Sequence, residues 1–301
     1  MAHSALVSII TPVLNRAGMI AEALASVRAQ QNVAVEHIVI DGGSTDGTLE
    51  LLRRAPGVRW QSEPDRGLYD AINKGLRLAQ GEIIGHLNSD DLYLPGALAA
   101  AAEALAANPD ADSACGGAVV ARSVPGGKWE VTRTIADVLV KRLDWRALTR
   151  GVPITNARFF RRSWYERAGG YDAHYRLAAD REFLIRSRLM GMRTVPIAPV
   201  VYQYRLHAGS LTVNDDSRHN RALLDEYLEL SHRLMTRAGL PSDLRRAARA
   251  WYAVEMARLA WQQAGDREWL PAGRTALTAM AQIALGRLPS ARTAQSRAER
   301  R

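Results

Sequence analysis

A short apolar run that ends in acidic residues constrains the fold of this chain more than any other feature. Residues 83–87 have the length and composition of one buried strand, and an amphipathic helix pattern over residues 68–79 precedes them. The run leads directly into residues 88–91, Asn-Ser-Asp-Asp. In open α/β sheets, ligands bind beyond the carboxyl ends of strands, and carboxylates there suit a hard divalent cation. The stretch therefore predicts an α/β fold with a site at this strand end, although an ordinary acidic turn is the plainer interpretation of Asp90-Asp91 alone.

Strand and helix patterns alternate through the N-terminal part of the chain. In order they are a strand over 6–10, a helix over 20–27, a strand over 35–40, a helix over 49–52 and a strand over 58–61. This alternation favours a mostly parallel sheet with helices on both faces.

Two polar loops follow the first two predicted strands. The first reads Thr11-Pro12-Val13-Leu14-Asn15, and the second reads Asp41-Gly42-Gly43-Ser44-Thr45-Asp46-Gly47-Thr48. Glycine lets backbone approach a ligand closely, and a carboxylate such as Asp41 can accept hydrogen bonds from a nucleobase. Taken alone, Asp41 is equally well explained as a turn residue whose carboxylate accepts from neighbouring backbone amides.

The later part of the chain carries a second group of motifs. They read Phe159-Phe160-Arg161-Arg162, Gly169-Gly170-Tyr171-Asp172, Ala179-Asp180-Arg181-Glu182-Phe183 and Tyr204-Arg205-Leu206-His207. Asp180 falls at the start of a helix predicted over 177–186, where an N-cap is its plainer role. Residues 153–160 and 195–204 predict strand-like pieces, the second interrupted by prolines, and residues 129–152 predict a loop or short helices.

Composition narrows the class of protein. The hydrophobic fraction of 47% fits a globular chain, and Cys115, the single cysteine, excludes an internal disulfide and a cysteine-rich zinc site. The net charge of +9 suits nucleic acid, anionic lipid or phosphorylated ligands. No zinc-finger spacing or RNA-recognition signature is present, so no nucleic-acid partner is expected. Without a signal-peptide pattern or a long apolar stretch, we predict a cytoplasmic protein, soluble or peripheral at the inner face of the cell membrane.

In their order along roughly residues 6–212, these motifs resemble family 2 glycosyltransferases, the inverting enzymes with the GT-A fold. The resemblance implies a metal-dependent transfer of a sugar from a nucleoside-diphosphate sugar to an acceptor hydroxyl, in cell-surface polysaccharide or glycolipid synthesis. The donor would be a UDP-sugar or dTDP-sugar, the cofactor Mn²⁺ or Mg²⁺, and the acceptor a sugar or a lipid-linked acceptor.

The resemblance also implies roles for particular residues. Those that would bind the nucleotide-sugar are Thr11, Pro12, Asn15, Asp41, Arg66, Asn88 and Ser89. Asp90 and His207 would bind the metal, and Asp180 would be the catalytic base. Asn88 and Ala179 stand where the family commonly has acids. A non-catalytic binding or scaffold protein on a decayed transferase fold therefore stays open, as does a nucleotidyltransferase-like enzyme.

The resemblance and the helical patterns together predict the domain organisation. A GT-A domain is expected over residues 1–213, with a nucleotide-sugar half over 1–95 and an acceptor half over 96–213. Residues 214–286 predict a helical extension whose third helix runs from about 271 to 285. Residues 287–301 contain five arginines and one glutamate, and they predict a disordered basic tail that can contact anionic lipid.

Overall fold

The structure is a computed structural model that describes residues 5–136, 143–151, 154–207, 209–210 and 217–265. The chain divides into two compact units, Met1–Asp215 and Asp216–Arg301. The first unit contains a large sheet, and the described part of the second contains two helices. The predicted helix over 271–285 and the predicted tail lie outside the described residues. The division of the first unit into donor and acceptor halves stays a prediction.

The described elements are numbered in chain order. In the first unit they are β1 (Leu6–Val13), α1 (Ile20–Arg28), β2 (Ala34–Asp41), α2 (Thr48–Arg54), β3 (Val58–Ser62), α3 (Leu68–Leu78), β4 (Ile83–His86), β5 (Leu92–Tyr93), α4 (Ala97–Ala107), β6 (Ser113–Val124), β7 (Lys128–Ile135), α5 (Trp145–Arg150), β8 (Arg158–Arg161), α6 (Arg162–Ala168), α7 (Ala179–Leu189) and β9 (Thr194–Leu206). In the second unit they are α8 (Ser217–Thr236) and α9 (Ser242–Gly265).

The strands form one mixed sheet in the order β3-β2-β1-β4-β8-β6-β9-β5, with β7 paired to β6. The first four strands in this order are parallel to one another. β8 is antiparallel to both β4 and β6, whereas β9 is parallel to β6. The predicted α/β class, a mixed and mostly parallel sheet flanked by helices with further helices after it, is confirmed.

The parallel strands β1, β2 and β4 bring three loops to one edge of the sheet. Because β1, β2 and β4 run in the same direction, the residues that follow them leave at the same end. The strands are held by buried aliphatic side chains such as Ile9, Ile38 and Ile84. Helix α3 lies directly on β1, since a Cβ on its Gly75 would come within 2.4 Å of a methyl carbon of Ile10. The edge that carries the loops is therefore set by a rigid core.

Two predictions about the later strands are wrong. Residues 128–135 form strand β7 rather than a loop or short helices, although the short helix α5 lies within the same predicted range. Residues 194–206 form one strand rather than two pieces. Most β7 side chains are exposed because it pairs only with β6 among the described strands, so it leaves no apolar period in the sequence. In β9, a register irregularity opposite residues 115–117 of β6 accommodates Pro199, which an unbroken ladder would exclude.

The described helices differ from membrane spans. None of those in residues 5–136, 143–151, 154–207 and 217–265 combines the length and the apolar character that a bilayer crossing needs.

Candidate functional site

The acidic loop after β4 is tied to strand β9 through Asp91. Its Oδ2 accepts hydrogen bonds from the Tyr202 hydroxyl at 2.8 Å and the Asn88 amide at 3.0 Å, and its Oδ1 accepts from the Arg205 backbone N–H at 2.8 Å. Burial raises the pKa of Asp91 to about 7, and the neighbouring Asp90 carboxylate adds to the rise. Ser89 is buried in the same loop. Asp91 therefore fixes the loop, and Asn88 uses its amide within it.

Asp90 faces the other way, toward the loop after β9. Its Oδ2 lies 3.1 Å from His207 Nε2 and 3.9 Å from Arg16 Nε. Its backbone oxygen accepts a hydrogen bond from Arg205 Nε. The fold thus brings together the two residues predicted to bind a metal, although that role stays a prediction.

The geometry of this pair fits two adjacent ligands of one cation. Adjacent ligands of an octahedral Mg²⁺, each about 2.1 Å from the ion, are about 3 Å apart. Among the described residues, no group of three or more His, Cys, Asp or Glu side chains is placed to hold a metal. Asp90 and His207 are therefore two described residues that could hold a cation if its remaining ligands were of another kind.

The tautomer of His207 bears on such binding. The Gly209 backbone N–H donates to His207 Nδ1 at 3.1 Å, so the proton of the neutral ring is on Nε2, facing Asp90. A metal on Nε2 would displace this proton. The Arg16 guanidinium donates to the Gly209 carbonyl at 2.9 Å and thereby fixes the same turn.

The two oxygens of Asp41, at the end of β2, have different surroundings. Oδ2 accepts from the backbone N–H groups of Gly43 at 3.0 Å and Ser44 at 2.9 Å, and from the Ser62 hydroxyl at 2.7 Å. Oδ1 is buried and accepts from no described residue. The turn interpretation thus accounts for one oxygen and leaves the other available to a ligand donor.

The first polar loop is joined to the glycine-rich loop through Asn15, which has a left-handed backbone (φ 52°). Its Oδ1 accepts from the Thr45 N–H at 2.8 Å, and its own N–H donates to the Ser44 hydroxyl at 2.7 Å. Thr11 is buried with its hydroxyl 2.9 Å from His37 Nε2, and Pro12 is buried in β1. Thr11, Pro12 and Asn15 therefore shape the two loops.

Arg66 lies in the loop before α3. It is exposed, and its guanidinium is 3.2 Å from the Asp70 carboxylate. The adjacent Asp65 packs against the glycine-rich loop, because a Cβ on Gly42 would come within 2.6 Å of Asp65 Oδ2. The Arg66 loop therefore borders the predicted nucleotide pocket.

The prediction that Asp180 is the N-cap of its helix is wrong. Helix α7 begins at Ala179, so its N-cap is Ala178, which makes no side-chain cap, and Asp180 lies inside the first turn. Its Oδ1 accepts from the next backbone N–H at 2.6 Å, and its Oδ2 is 3.5 Å from the Thr155 hydroxyl. Desolvation raises the pKa of Asp180, and the Arg181 charge and these hydrogen bonds offset only part of the rise.

Hydrogen bonds join the surroundings of Asp180 to the acidic loop. Thr155 contacts Asp180, and the neighbouring Asn156 amide donates to the Tyr202 hydroxyl at 3.1 Å. Tyr202 in turn donates to Asp91. The predicted base and the predicted metal ligands therefore belong to one connected site.

Sequence reasoning assigned no role to Arg16 or Arg205, and it considered Asp91 only as one of the strand-end acids that suit a cation, not as the residue that fixes the loop. The Arg205 side chain is fully buried, lies 2.7 Å from Glu22 of α1 and stacks over Trp129 at 5.1 Å. An arginine inside an otherwise apolar strand pattern is the signal that could have found it, because a buried charge needs partners.

Comparison with known proteins decides the family. The model of the family described as "Glycosyl transferase family 2" matches residues 8–169, more than half of the chain. The chain belongs to this family. The transferase is 38% identical over 194 residues to an uncharacterized glycosyltransferase of Mycobacterium tuberculosis, covering 63% of this chain and 71% of that one. It is 34% identical over 188 residues to a PGL/p-HBAD biosynthesis glycosyltransferase of Mycobacterium bovis, covering 60% and 68%.

Solved structures support the fold of the transferase. The mannosyltransferase PcManGT of Pyrobaculum calidifontis, in complex with GDP-Man and Mn²⁺, has a TM-score of 0.60 at 22% identity over 99% of this chain and 81% of that one. Residues 1–349 of S. aureus TarS with UDP-GlcNAc have a TM-score of 0.59 at 15% identity, covering 94% and 93%. The GT-A fold and the glycosyltransferase class predicted from the sequence are confirmed.

Proposed function

We propose that the transferase moves a sugar from a UDP-sugar or dTDP-sugar to an acceptor hydroxyl, with inversion and with a divalent cation. The observation that carries the proposal is a chain of contacts. Thr155 contacts Asp180, the adjacent Asn156 donates to Tyr202, and Tyr202 donates to Asp91, which neighbours Asp90. One carboxylate is thus available to the leaving diphosphate and another to the attacking hydroxyl.

The donor nucleotide would bind where the loops after β1 and β2 meet. The unpaired Oδ1 of Asp41 supports recognition of a base N–H, since a buried acceptor without a partner is costly until a ligand donor pairs with it. Thr11, Pro12 and Asn15 would form the walls, and Arg66 would reach the base or diphosphate from its exposed loop. Asn88 and Ser89 would line the ribose side.

The diphosphate would lie at Asp90 and His207. There Mn²⁺ or Mg²⁺ would neutralise charge that develops on the departing group. Arg16, 3.9 Å from Asp90, adds a fixed positive charge beside the same position. The bound Mn²⁺ of the mannosyltransferase neighbour supports a cation in a fold of this kind.

The transfer itself needs a base on the acceptor side. In our proposal the acceptor oxygen attacks the anomeric carbon as its proton passes to the Asp180 carboxylate. The bond from that carbon to the diphosphate oxygen breaks on the opposite face, which inverts the configuration. The elevated pKa of Asp180 supports this role, because a carboxylate destabilised by desolvation is a stronger base.

The acceptor would be a sugar or a lipid-linked acceptor in polysaccharide or glycolipid synthesis. The relative named for PGL/p-HBAD biosynthesis supports this class. We infer further that the enzyme acts in the cytoplasm at the inner face of the membrane, with its basic C-terminal region against anionic lipid.

A donor-hydrolysis assay tests the proposal. Purified protein is incubated with UDP-glucose, UDP-GlcNAc, dTDP-glucose or GDP-mannose, with Mn²⁺, with Mg²⁺ or with excess chelator, and nucleoside diphosphate release is measured. We expect metal-dependent release that Asp90→Ala abolishes. The matched control is Asp110→Ala. This exposed aspartate forms an ion pair with Arg193 and with no other positively charged side chain of the described residues. Full activity in chelator would remove the metal from the proposal.

The same assay separates the alternatives. A decayed transferase would bind a nucleotide-sugar without releasing the diphosphate. A nucleotidyltransferase-like enzyme would release pyrophosphate from a nucleoside triphosphate and a sugar phosphate.

A further inference from the structure

Arg205, near the end of β9, has a main chain that contacts both segments predicted to hold the cation. Its N–H donates to Asp91 Oδ1 at 2.8 Å, in the acidic loop after β4. Its carbonyl accepts from the Ser210 hydroxyl at 3.3 Å, and the oxygen of that hydroxyl accepts from the His207 N–H at 3.0 Å. Arg205 therefore joins the acidic loop to the turn that presents His207.

The side chain of Arg205 contacts the backbone of the predicted ligand Asp90. Its Nε donates to the Asp90 carbonyl, and its Nη1 lies 2.7 Å from Oε2 of Glu22, in the first turn of α1. The guanidinium carbon lies 5.1 Å from the ring centre of Trp129 in β7. Because the guanidinium holds the Asp90 carbonyl, the Asp90 carboxylate is left to face His207 Nε2 at 3.1 Å.

Burial of this guanidinium carries a cost that stability alone does not explain. The Arg205 side chain has no exposed surface, and its Nη2 is buried without a hydrogen-bond partner among the described residues. A buried charge costs free energy unless it is fully paired, and apolar side chains of similar volume are often at least as stabilising. The contact that an apolar side chain could not make is the hydrogen bond to Asp90. Arginine is therefore explained by what it does to the acidic loop.

We infer that Arg205 is a positioning residue for the divalent cation: its guanidinium fixes the Asp90 backbone so that the Asp90 carboxylate faces His207. The inference rests on the proposed role of Asp90 and His207 as cation ligands. In this role Arg205 acts through Asp90 and binds neither the cation nor the diphosphate. Loss of a group that orients a metal ligand commonly lowers metal affinity by about 10–100-fold.

The first experiment compares Arg205→Lys with wild type by calorimetry. The probe is whichever of UDP, dTDP and GDP binds wild type most tightly, and its Kd is measured at a fixed Mn²⁺ concentration and in excess chelator. The ratio of the two Kd values reports how much the cation strengthens nucleotide binding. We expect the ratio to fall about 10-fold, with the Kd in chelator unchanged. Lysine keeps the charge but lacks the planar fork that holds Asp90 and Glu22 together.

Donor hydrolysis gives a second readout that a merely structural role would not produce. The rate is followed against Mn²⁺ concentration with the nucleotide-sugar that wild type hydrolyses fastest. We expect Arg205→Lys to need about 10-fold more Mn²⁺ for half of its maximal rate, with a kcat at saturating Mn²⁺ close to that of wild type. A lower kcat that added Mn²⁺ does not restore would contradict the inference.

The matched control is Arg161→Lys. Arg161 pairs with Ile83 at the start of β4, whereas the acidic loop follows the end of that strand. Its guanidinium also donates to backbone carbonyls, those of Ala111 at 2.7 Å and Leu105 at 2.8 Å. We expect Arg161→Lys to keep the Mn²⁺ dependence of wild type. An equal change in both variants would mean a general loosening of the fold and would overturn the role of Arg205.

Glu22→Ala keeps the inference testable if Arg205→Lys does not fold. Glu22 is 60% exposed in its side chain, and the substitution removes the partner that fixes the guanidinium. We expect a smaller fall in the same Kd ratio. An unchanged ratio in Glu22→Ala and in any folded Arg205→Lys, with wild type still dependent on Mn²⁺, would overturn the role of Arg205 alone. Equal nucleotide binding and hydrolysis by wild type in Mn²⁺ and in chelator would instead overturn the proposed cation, and this inference with it.

Discussion

Asp41 illustrates how one side chain can serve both the fold and a ligand. One oxygen holds the glycine-rich turn, and the other is buried without a described donor. Asp41→Asn separates the two functions, because the amide oxygen can still accept from the turn whereas the amide nitrogen cannot accept at all.

We therefore expect Asp41→Asn to weaken nucleoside diphosphate binding by about 1–3 kcal/mol with little change in thermal stability. Calorimetry with UDP, dTDP and GDP measures the affinity and shows which base is preferred. Asp41→Ala is the companion variant. It also removes the oxygen that accepts the hydrogen bonds of the turn, so it should lower the melting temperature. Unchanged affinity of Asp41→Asn would leave Asp41 a turn residue only.

Asp180→Asn tests the chemistry of the base. Transfer should fall by roughly 10²–10⁴, the usual scale for loss of a general base, whereas donor affinity should not change. Stopped assays of transfer and calorimetry with the donor nucleotide measure the two quantities. Transfer at the wild-type rate would point to Glu182, on the same helix, as the next carboxylate to examine.

Stability provides a second readout for Asp180. Its pKa is raised in the folded state, so folding favours its protonated form, and the stability it contributes is lost as pH rises through the folded pKa. At neutral pH, Asp180→Asn should thus unfold at an equal or higher urea concentration than wild type. Because Asp180 is not the N-cap, Asp180→Ala should lack the loss of about 1 kcal/mol that a missing cap would cause.

At the scale of elements, the contact between β1 and β2 contains a buried neutral histidine. His37 of β2 lies against Thr11 of β1, and burial lowers its pKa to about 4. Burial also lowers the pKa of His86, in β4, to about 3. Below pH 6.5 an unfolded chain takes up protons at both positions while the folded chain does not, so stability falls as the pH falls.

We predict that His37→Gln makes the first unit less sensitive to acid. Between pH 7 and pH 5, wild type should lose about 2 kcal/mol more of its unfolding free energy than the variant. Urea unfolding at the two pH values measures this difference, and His174→Gln, a change at an exposed histidine, is the control. Equal losses in wild type and His37→Gln would mean that His37 is protonated in the folded protein.

At the scale of the whole molecule, the prediction concerns lipid. The described part of the second unit leaves Trp261 of α9 83% exposed, and the basic segment over 287–301 follows it in the chain. Indole rings favour membrane interfaces, and each arginine near an anionic surface contributes about 1 kcal/mol.

The full chain should therefore sediment with anionic liposomes, and a chain without residues 287–301 should sediment less. Neutral liposomes are the control, and high salt should weaken the difference because it screens the charges. Equal sedimentation of the two chains with anionic vesicles would remove the tail from the membrane proposal.

The class of fold and the loops where a site could form follow from the sequence alone. Strands β1 to β4 and the helices between them can be predicted from the sequence because each has its own apolar period. The parallel direction of these strands then requires that the loops after residues 13, 41 and 86 leave one edge of the sheet. The order of short motifs carried the resemblance that the family match confirms.

Which of these residues come into contact depends on the tertiary structure. Asp90 and His207 are 117 positions apart, and Asn73 and Tyr171 are 98 apart, so no local period can predict either contact. The buried partners of Arg205 and the unpaired oxygen of Asp41 likewise depend on which strands become neighbours. The N-cap of α7 fell on Ala178 rather than Asp180 because a helix end depends on packing as well as on capping preference. The sequence thus supplied the reactive groups, and the order of strands in the sheet placed them in one site.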